Sequence, residues 1–328
     1  MKNNSMIKTS IICGGAGFVG VNLIPSLMNE GRRVLVADNY SNGKEDFLKQ
    51  FTDENNFYHL RVNLENKSGC AKLFEFASSL GGVDEVWHLA ANSDIQSGIF
   101  DPSIDLRDTF LTTFFLLDEM RKYRIPCLHF ASSSAVYGDL KGQLLHETSG
   151  PLLPISNYGA MKLASEALIS AAIESFLPMA NIFRFPNVVG VPATHGVILD
   201  FVNKLKQNPG QLEVLGDGTQ QKSYLHVSDL IDAMLIMRNR EIKHGLELVN
   251  IGPIDDGITV EMIAKMVVDR LNPSAKILFG EGNKGWVGDV PKFKYSTDRI
   301  QSYGWKPKLN SREAVTKAIG QIILEVMT

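Results

Sequence analysis

IKTSIICGGAGFVGVNLIPSLMNEGRRVLVAD, residues 7–38, decides the fold. An apolar run at 7–13 reads as a strand, and a helix at 19–30 follows, closed by Gly31. A second strand at 33–37 ends on Asp38. Between the first strand and the helix stand Gly14, Gly17 and Gly20. Such glycines let a backbone turn sharply and approach a pyrophosphate, whose charge suits a helix N-terminus. A lone glycine triplet is often only a tight turn. Here Asp38 closes the next strand, close to the ~20-residue offset at which an acid binds a ribose. The combination points to a bound dinucleotide. The Asp38 carboxylate would repel a 2′-phosphate, which favours NAD over NADP. Arg32 and Arg33 read as solvated helix-end charges.

The alternation continues outward from this unit. Further strands are expected at 56–62, 85–89 and 127–131, separated by helices at 68–79 and 105–123. That order predicts an α/β chain with a Rossmann-type, doubly wound parallel sheet, binding its ligands beyond the carboxyl ends of the strands. After about residue 175 the pattern loosens. Runs at 181–185 and 247–251 still read as strands of the sheet, with a helix near 197–207 and the loop LGDGTQQKSYLHVSD between them. The tail from 259 holds a helix, a strand at 276–279, a glycine-rich loop and a last helix from Ser311. The expected division is a dinucleotide domain over 1–180 plus about 225–252, and a smaller discontinuous C-terminal substrate-binding lobe over 181–224 and 253–328.

A chain of 328 residues can bury a large core. Its net charge of −3 argues against a nucleic-acid partner, which needs a concentrated basic surface. Cys13, Cys70 and Cys127 form no CxxC pattern and read as buried thiols in a reducing cytoplasm. The first apolar run is too short for a signal segment or a membrane span. The seven histidines show no ligand spacing, so no metal is expected. His88 reads as structural, and Trp87 and the phenylalanines as core or interface.

SNYGAMKLASEALISAA, residues 156–172, carries the chemistry. Tyr158 and Lys162 stand four apart at the start of a helix and so share a face. An ammonium beside a phenol favours the phenolate, which lets Tyr158 exchange protons below its ordinary pKa of about 10. Spacing alone is weak: Tyr40 with Lys44 and Tyr137 with Lys141 share it. Only the third pair opens a helix and follows both the glycine loop and a serine cluster. Ser132, Ser133 and Ser134 follow CLHFA, which places them at the sheet's carboxyl edge. A hydroxyl there can bond the substrate oxygen whose proton Tyr158 removes.

With these residues in place, the chain resembles an extended short-chain dehydrogenase/reductase of the NAD-dependent sugar-nucleotide epimerase/dehydratase family. The resemblance runs nearly end to end through CGGAGFVG, VADNYSNG, HLAA, FASSSAVYGD, SNYGAMKLASE, FRFPNVVG, GDGTQQKSYLHVSD, GWVGDV and YGWKP. It implies that Ser133 is the catalytic hydroxyl, Tyr158 the base, and Lys162 the residue that binds the nicotinamide ribose and biases the phenol. For the cofactor it implies Gly14, Gly17, Phe18, Val19, Gly20, Asp38, Asn39, Leu64, Leu89, Ala90, Ala91, Ser132 and Phe185, with Tyr158 and Lys162. Asn63 takes the place of an aspartate, and Thr109 that of an asparagine. For a nucleotide-diphosphate sugar it implies Ser133, Ser134, Asn187, Lys222, Tyr224 and Asp289. Lys222 replaces the usual arginine, which keeps charge but loses the bidentate fork. Trp286 replaces a second arginine, for which Lys284 or Lys292 could substitute.

Dehydratases of the family carry a carboxylate pair directly after the catalytic hydroxyl; Ser134 and Ala135 occupy those positions. Epimerisation at C4 through a transient 4-keto sugar is therefore the expected function. A 4,6-dehydratase, a net sugar-nucleotide dehydrogenase or reductase, and a non-catalytic NAD-sensing protein are the alternatives. Apolar surface on the helices at 105–123 and 158–174 suggests a homodimer.

Overall fold

The structure is a computed structural model that describes residues 7–140, 143–240, 244–282 and 294–327. Seven strands form one sheet: β1 (Thr9–Cys13), β2 (Arg33–Asp38), β3 (Phe57–Arg61), β4 (Glu85–His88), β5 (Cys127–Ser133), β6 (Met179–Phe185) and β7 (Gly245–Asn250). Their spatial order is β7-β6-β5-β4-β1-β2-β3. β1 pairs parallel with β2 and with β4, and the pairings β2–β3 and β4–β5 are also parallel. Chain order reverses between β1 and β4, which opens the crevice where such sheets bind ligands.

The strands form because their residues suit burial on both faces: Val34, Leu35, Val36 and Ala37 of β2 are fully buried. Helix α1 (Phe18–Asn29) presents Gly20, Val21, Leu23, Ile24 and Leu27 inward at helical spacing. Burying a leucine or isoleucine of this kind stabilises the fold by roughly 1.5–3 kcal/mol. On the other face, α2 (Lys67–Ser79), α3 (Thr112–Tyr123) and α4 (Asn157–Ser175) contribute Leu73, Phe74, Leu116, Met120 and Ile169 to a core with Ile11, Val86, Leu128 and Phe130.

The described residues fall into two compact units. The described residues of the first lie within Met1–Ser132, Ala160–Phe183 and Arg240–Leu248, and those of the second within Ser133–Gly159, Arg184–Asn239 and Val249–Thr328. The second unit contains α5 (Val197–Gln207), α6 (Val227–Arg238), α7 (Val260–Leu271) and α8 (Ser311–Met327). Its short strands pair as Asn187–Val189 with Tyr224–His226, Gln221–Lys222 with Ile258–Thr259, and Gln211–Val214 with Lys276–Phe279. Val202, Leu205, Leu212, Ile263, Val267, Ala314 and Ile319 lie in its core.

Several expectations need correction. The strand expected to stop at residue 131 runs on through Ser133. The helix expected over 105–123 is broken: a short helix at Pro102–Asp105 is followed by a π-turn segment, Leu106–Leu111, and then by α3. Arg32 is not a solvated charge. It is 5% exposed, its Nε donates to Ser10 Oγ at 2.6 Å, and it lies 3.3 Å from the Glu85 carboxylate. The partner comes from a distant strand, which local sequence does not reveal.

Candidate active site

The turn from β1 into α1 is shaped by close backbone approach. Gly14 has φ +76°, and a Cβ there would lie 2.7 Å from the backbone nitrogen of Ala90. A side chain at Gly20 would meet the Gly15 Cα at 2.5 Å, so α1 starts flat against the loop. Gly17 caps α1 without a side-chain hydrogen bond, and no acidic residue stands in the first turn. The helix N-terminus thus keeps amides for an anion. Phe18 and Val19, in that first turn, are half-buried.

Asp38 closes β2 and is 7% exposed. Its carboxylate accepts from the Ala16 amide at 3.0 Å and from the Tyr40 amide at 2.8 Å. Burial pushes its carboxyl above the ordinary range, and these amides oppose that shift. The amides of Ala16, Tyr40 and Asn39 leave the carboxylate about one acceptor site for a ribose hydroxyl. The half-buried Asn39 turns its own Oδ1 to the Ser41 amide. Sequence reasoning missed the next contact. A Cβ on Gly43 would lie 2.8 Å from the Ala16 carbonyl, and the Lys44 amide donates to that carbonyl at 3.2 Å. The Asn-Gly pair in YSNGK is its signal in the sequence.

Asn63 is exposed just past β3, whereas Leu64 enters the core. The Leu89 amide donates to Cys13 at 2.9 Å and extends the β1–β4 ladder, with Ala90 and Ala91 half-buried after it. Thr109 is buried in the π-turn segment, where its Oγ1 accepts from the Asn92 amide at 3.1 Å. Its side chain braces the segment that carries the two alanines. The structure also shows His88 buried, with Nε2 3.0 Å from Thr113 Oγ1, held neutral down to about 3 by burial and by Lys162.

The serine cluster and the Tyr158 helix meet through backbone. Ser133 is half-buried at the end of β5, and its Oγ accepts from the Ala135 amide at 3.2 Å, leaving its proton for another partner. Ser134, also half-buried, opens the short turn Ser134–Tyr137. Tyr158 is the second residue of α4 and half-buried. The following Gly159 could not carry a side chain: a Cβ would lie 2.5 Å from the Ala135 carbonyl. This glycine seats the start of α4 against the turn after Ser133, and sequence reasoning gave it no role. Of the rival pairs, Tyr40 sits at φ +60° and bonds His59 Nδ1 at 3.0 Å. Tyr137 is fully buried and donates to Asn250 Oδ1 at 2.7 Å. Lys141 lies outside the described residues.

One turn along α4, Lys162 is 2% exposed. Its Nζ donates to the Ala131 carbonyl at 2.6 Å and stands 4.7 Å from the Phe130 ring centroid. Burial drives its pKa down to about 7, against the opposing pull of Glu166 and Asp105. Ser132 is buried and donates to Glu166 at 2.5 Å. α4 thus carries a phenol and, one turn on, an ammonium, two groups suited to moving a proton.

In the second unit, Asn187 is exposed, opposite Tyr224 in a parallel pair. Lys222 is half-buried opposite Ile258. Tyr224 is 4% exposed within the core of this unit, and its amide donates to Ser311 Oγ at 3.2 Å. Phe185 is half-buried at the end of β6. Asp289, Trp286, Lys284 and Lys292 lie outside the described residues. Among the described residues no cluster of His, Cys, Asp or Glu could hold a metal, and no helix is long and apolar enough to cross a membrane.

The model of the NAD dependent epimerase/dehydratase family matches residues 10–252. A UDP-glucose 4-epimerase of Azospirillum brasilense is 25% identical, over 94% of this chain and 90% of its own. A UDP-glucuronic acid decarboxylase of Arabidopsis thaliana is 29% identical, over 93% of this chain and 66% of its own. Among solved structures, a UDP-galactose 4-epimerase is 31% identical with a TM-score of 0.84, covering 97% of this chain and 99% of that one. The Thermus thermophilus UDP-glucose 4-epimerase in complex with NAD is 26% identical with a TM-score of 0.82, covering 96% and 98%.

Proposed function

We propose, from the premise that this chain belongs to the NAD dependent epimerase/dehydratase family, that it inverts C4 of a nucleotide-diphosphate sugar through a transient 4-keto intermediate. The observation that carries the reading is the start of α4, where Tyr158 precedes the buried Lys162 by one turn and Gly159 rests on the turn after Ser133.

The glycine turn, the open amides of α1 and Asp38 fit a dinucleotide without a 2′-phosphate. Gly14, Gly17, Phe18, Val19, Gly20, Asp38 and Asn39 would hold its adenosine and pyrophosphate, with Asn63, Leu64, Leu89, Ala90, Ala91, Thr109, Ser132 and Phe185 completing the cofactor set. NAD bound there supplies a reversible hydride acceptor. The protein supplies the proton chemistry. Ser133 donates to the C4 oxygen and orients it, while Tyr158 as phenolate takes the C4 hydroxyl proton. Lys162 stabilises the phenolate and binds the nicotinamide ribose. After the keto sugar turns over, Tyr158 returns the proton to the C4 oxygen. Ser134, Asn187, Lys222, Tyr224 and Asp289 are proposed to hold the sugar and its diphosphate.

Ser134 and Ala135 stand where a dehydratase of the family carries its acid–base pair, and neither can serve as a carboxylate. This favours epimerisation over 4,6-dehydration. A groove of about 350 Å³ lined by Phe114, Leu117, Leu168 and Phe176 together with Asp118 and Arg121, with Phe114 45% exposed, supports a homodimer. Screening UDP-, GDP-, CDP- and dTDP-sugars by NMR tests the reading. One of them should invert without added NAD, and Tyr158→Phe should lower turnover ~10²–10⁴-fold. Near wild-type turnover in that variant would contradict the scheme, as would a stoichiometric demand for NAD.

A further inference from the structure

The chemistry above gives Glu166 nothing to do, yet Glu166 is 5% exposed and stands one turn beyond Lys162 on α4. Burying a carboxylate costs several kcal/mol unless charge and hydrogen bonds compensate it. Ser132 Oγ provides one bond to it. Ser132 is the neighbour of Ala131, whose carbonyl accepts the Lys162 ammonium. Hydroxyl, carboxylate, ammonium and carbonyl therefore link β5 to α4 within the first unit.

We propose that Glu166 is a positioning residue acting through Lys162: its charge keeps the ammonium protonated next to Tyr158, and its bond to Ser132 fixes the register of α4 on β5. The inference rests on the proton-transfer role proposed for Tyr158, not on which sugar is bound.

Among the groups that face Lys162, Glu166 makes the largest contribution toward keeping it charged. From β4, His88 is held neutral. From β5 come the Phe130 ring and the Ala131 carbonyl. From the short helix Pro102–Asp105, Asp105 also pulls Lys162 upward, less strongly than Glu166 does. The ammonium of Lys162 is present below a pKa of about 7 and is lost as pH rises through it. Removing the Glu166 charge moves that loss to lower pH. Tyr158, deprived of its cation, then ionises at higher pH.

The test follows tyrosinate ultraviolet absorbance across pH in the purified full chain, subtracting the Tyr158→Phe titration from each curve. In Glu166→Gln, Tyr158 should ionise about one pH unit higher than in wild type, and the alkaline limb of turnover should move to lower pH. Glu166→Asp, which keeps the charge, should titrate close to wild type. Superimposable curves for wild type and Glu166→Gln would overturn the proposal. So would a shift of about one unit in Glu166→Asp, because the effect would then not belong to the charge. The titration needs no sugar, so a failed epimerase assay and a failed Glu166 role give different results.

Discussion

The turn between β1 and α1 and the short strand pairs of the second unit differ in what determines their shape. In the first, backbone meets backbone. Gly14 and Gly20 sit where an added Cβ would come within 2.7 Å or less of main-chain atoms, and Asp38 is fixed by the Ala16 and Tyr40 amides. In the second, candidate ligands are side chains on strands such as Gln221–Lys222 and Asn187–Val189, with Asn187 exposed and Lys222 half-buried. A surface made of main chain cannot be changed one residue at a time without strain. A surface made of side chains can. The expectation is a rigid cofactor site joined in one chain to a tunable sugar site.

The largest expected effect tests the residue pair that opens α4. Lys162→Met should lower turnover ~10²–10³-fold, since it removes the ammonium that biases Tyr158. A loss under ~3-fold, read from initial rates by NMR, would break the account of that helix. Next comes Gly14→Ala. The clash with Ala90 and the positive φ should together cost ~2–5 kcal/mol, shared between NAD affinity and stability. Calorimetry with NAD and thermal unfolding check this, and an unperturbed variant would show that the turn is not rigid.

Asp38→Asn should weaken NAD ~10-fold and narrow the preference for NAD over NADP, because the charge opposing a 2′-phosphate is gone. Competition binding with both dinucleotides measures it, and an unchanged preference would remove Asp38 from the site. The smallest effect is expected in the second unit. Lys222→Arg should tighten a UDP-sugar by ~2–10-fold by restoring a bidentate fork. If it instead abolished binding, the sugar site would be as intolerant as the glycine turn, and the contrast would fail.

Legibility in the sequence follows how local each signal is. The glycine spacing, Asp38 and the strand–helix alternation are local signals, and the helix Val197–Gln207 and the strand Lys276–Phe279 match their expected bounds. Arg32 was misread because its burial depends on Glu85, which only the β1–β4 pairing brings near. Gly43 and Gly159 were passed over because their roles come from the Ala16 and Ala135 carbonyls of other segments. The break at Leu106–Leu111 follows from tertiary packing, since Thr109 in it faces the Asn92 amide. The seat of Tyr224 in a core likewise depends on strands and helices far along the chain.

The measurement that bears most directly on the central claim is turnover of a UDP-hexose in D₂O, followed by ¹H NMR. If Tyr158 handles only the hydroxyl proton, the 4-epimer should accumulate to equilibrium with its C4 hydrogen retained and no deuterium on carbon. Deuterium at the inverted carbon would show that a C–H proton exchanges with solvent, and would contradict transient oxidation at C4.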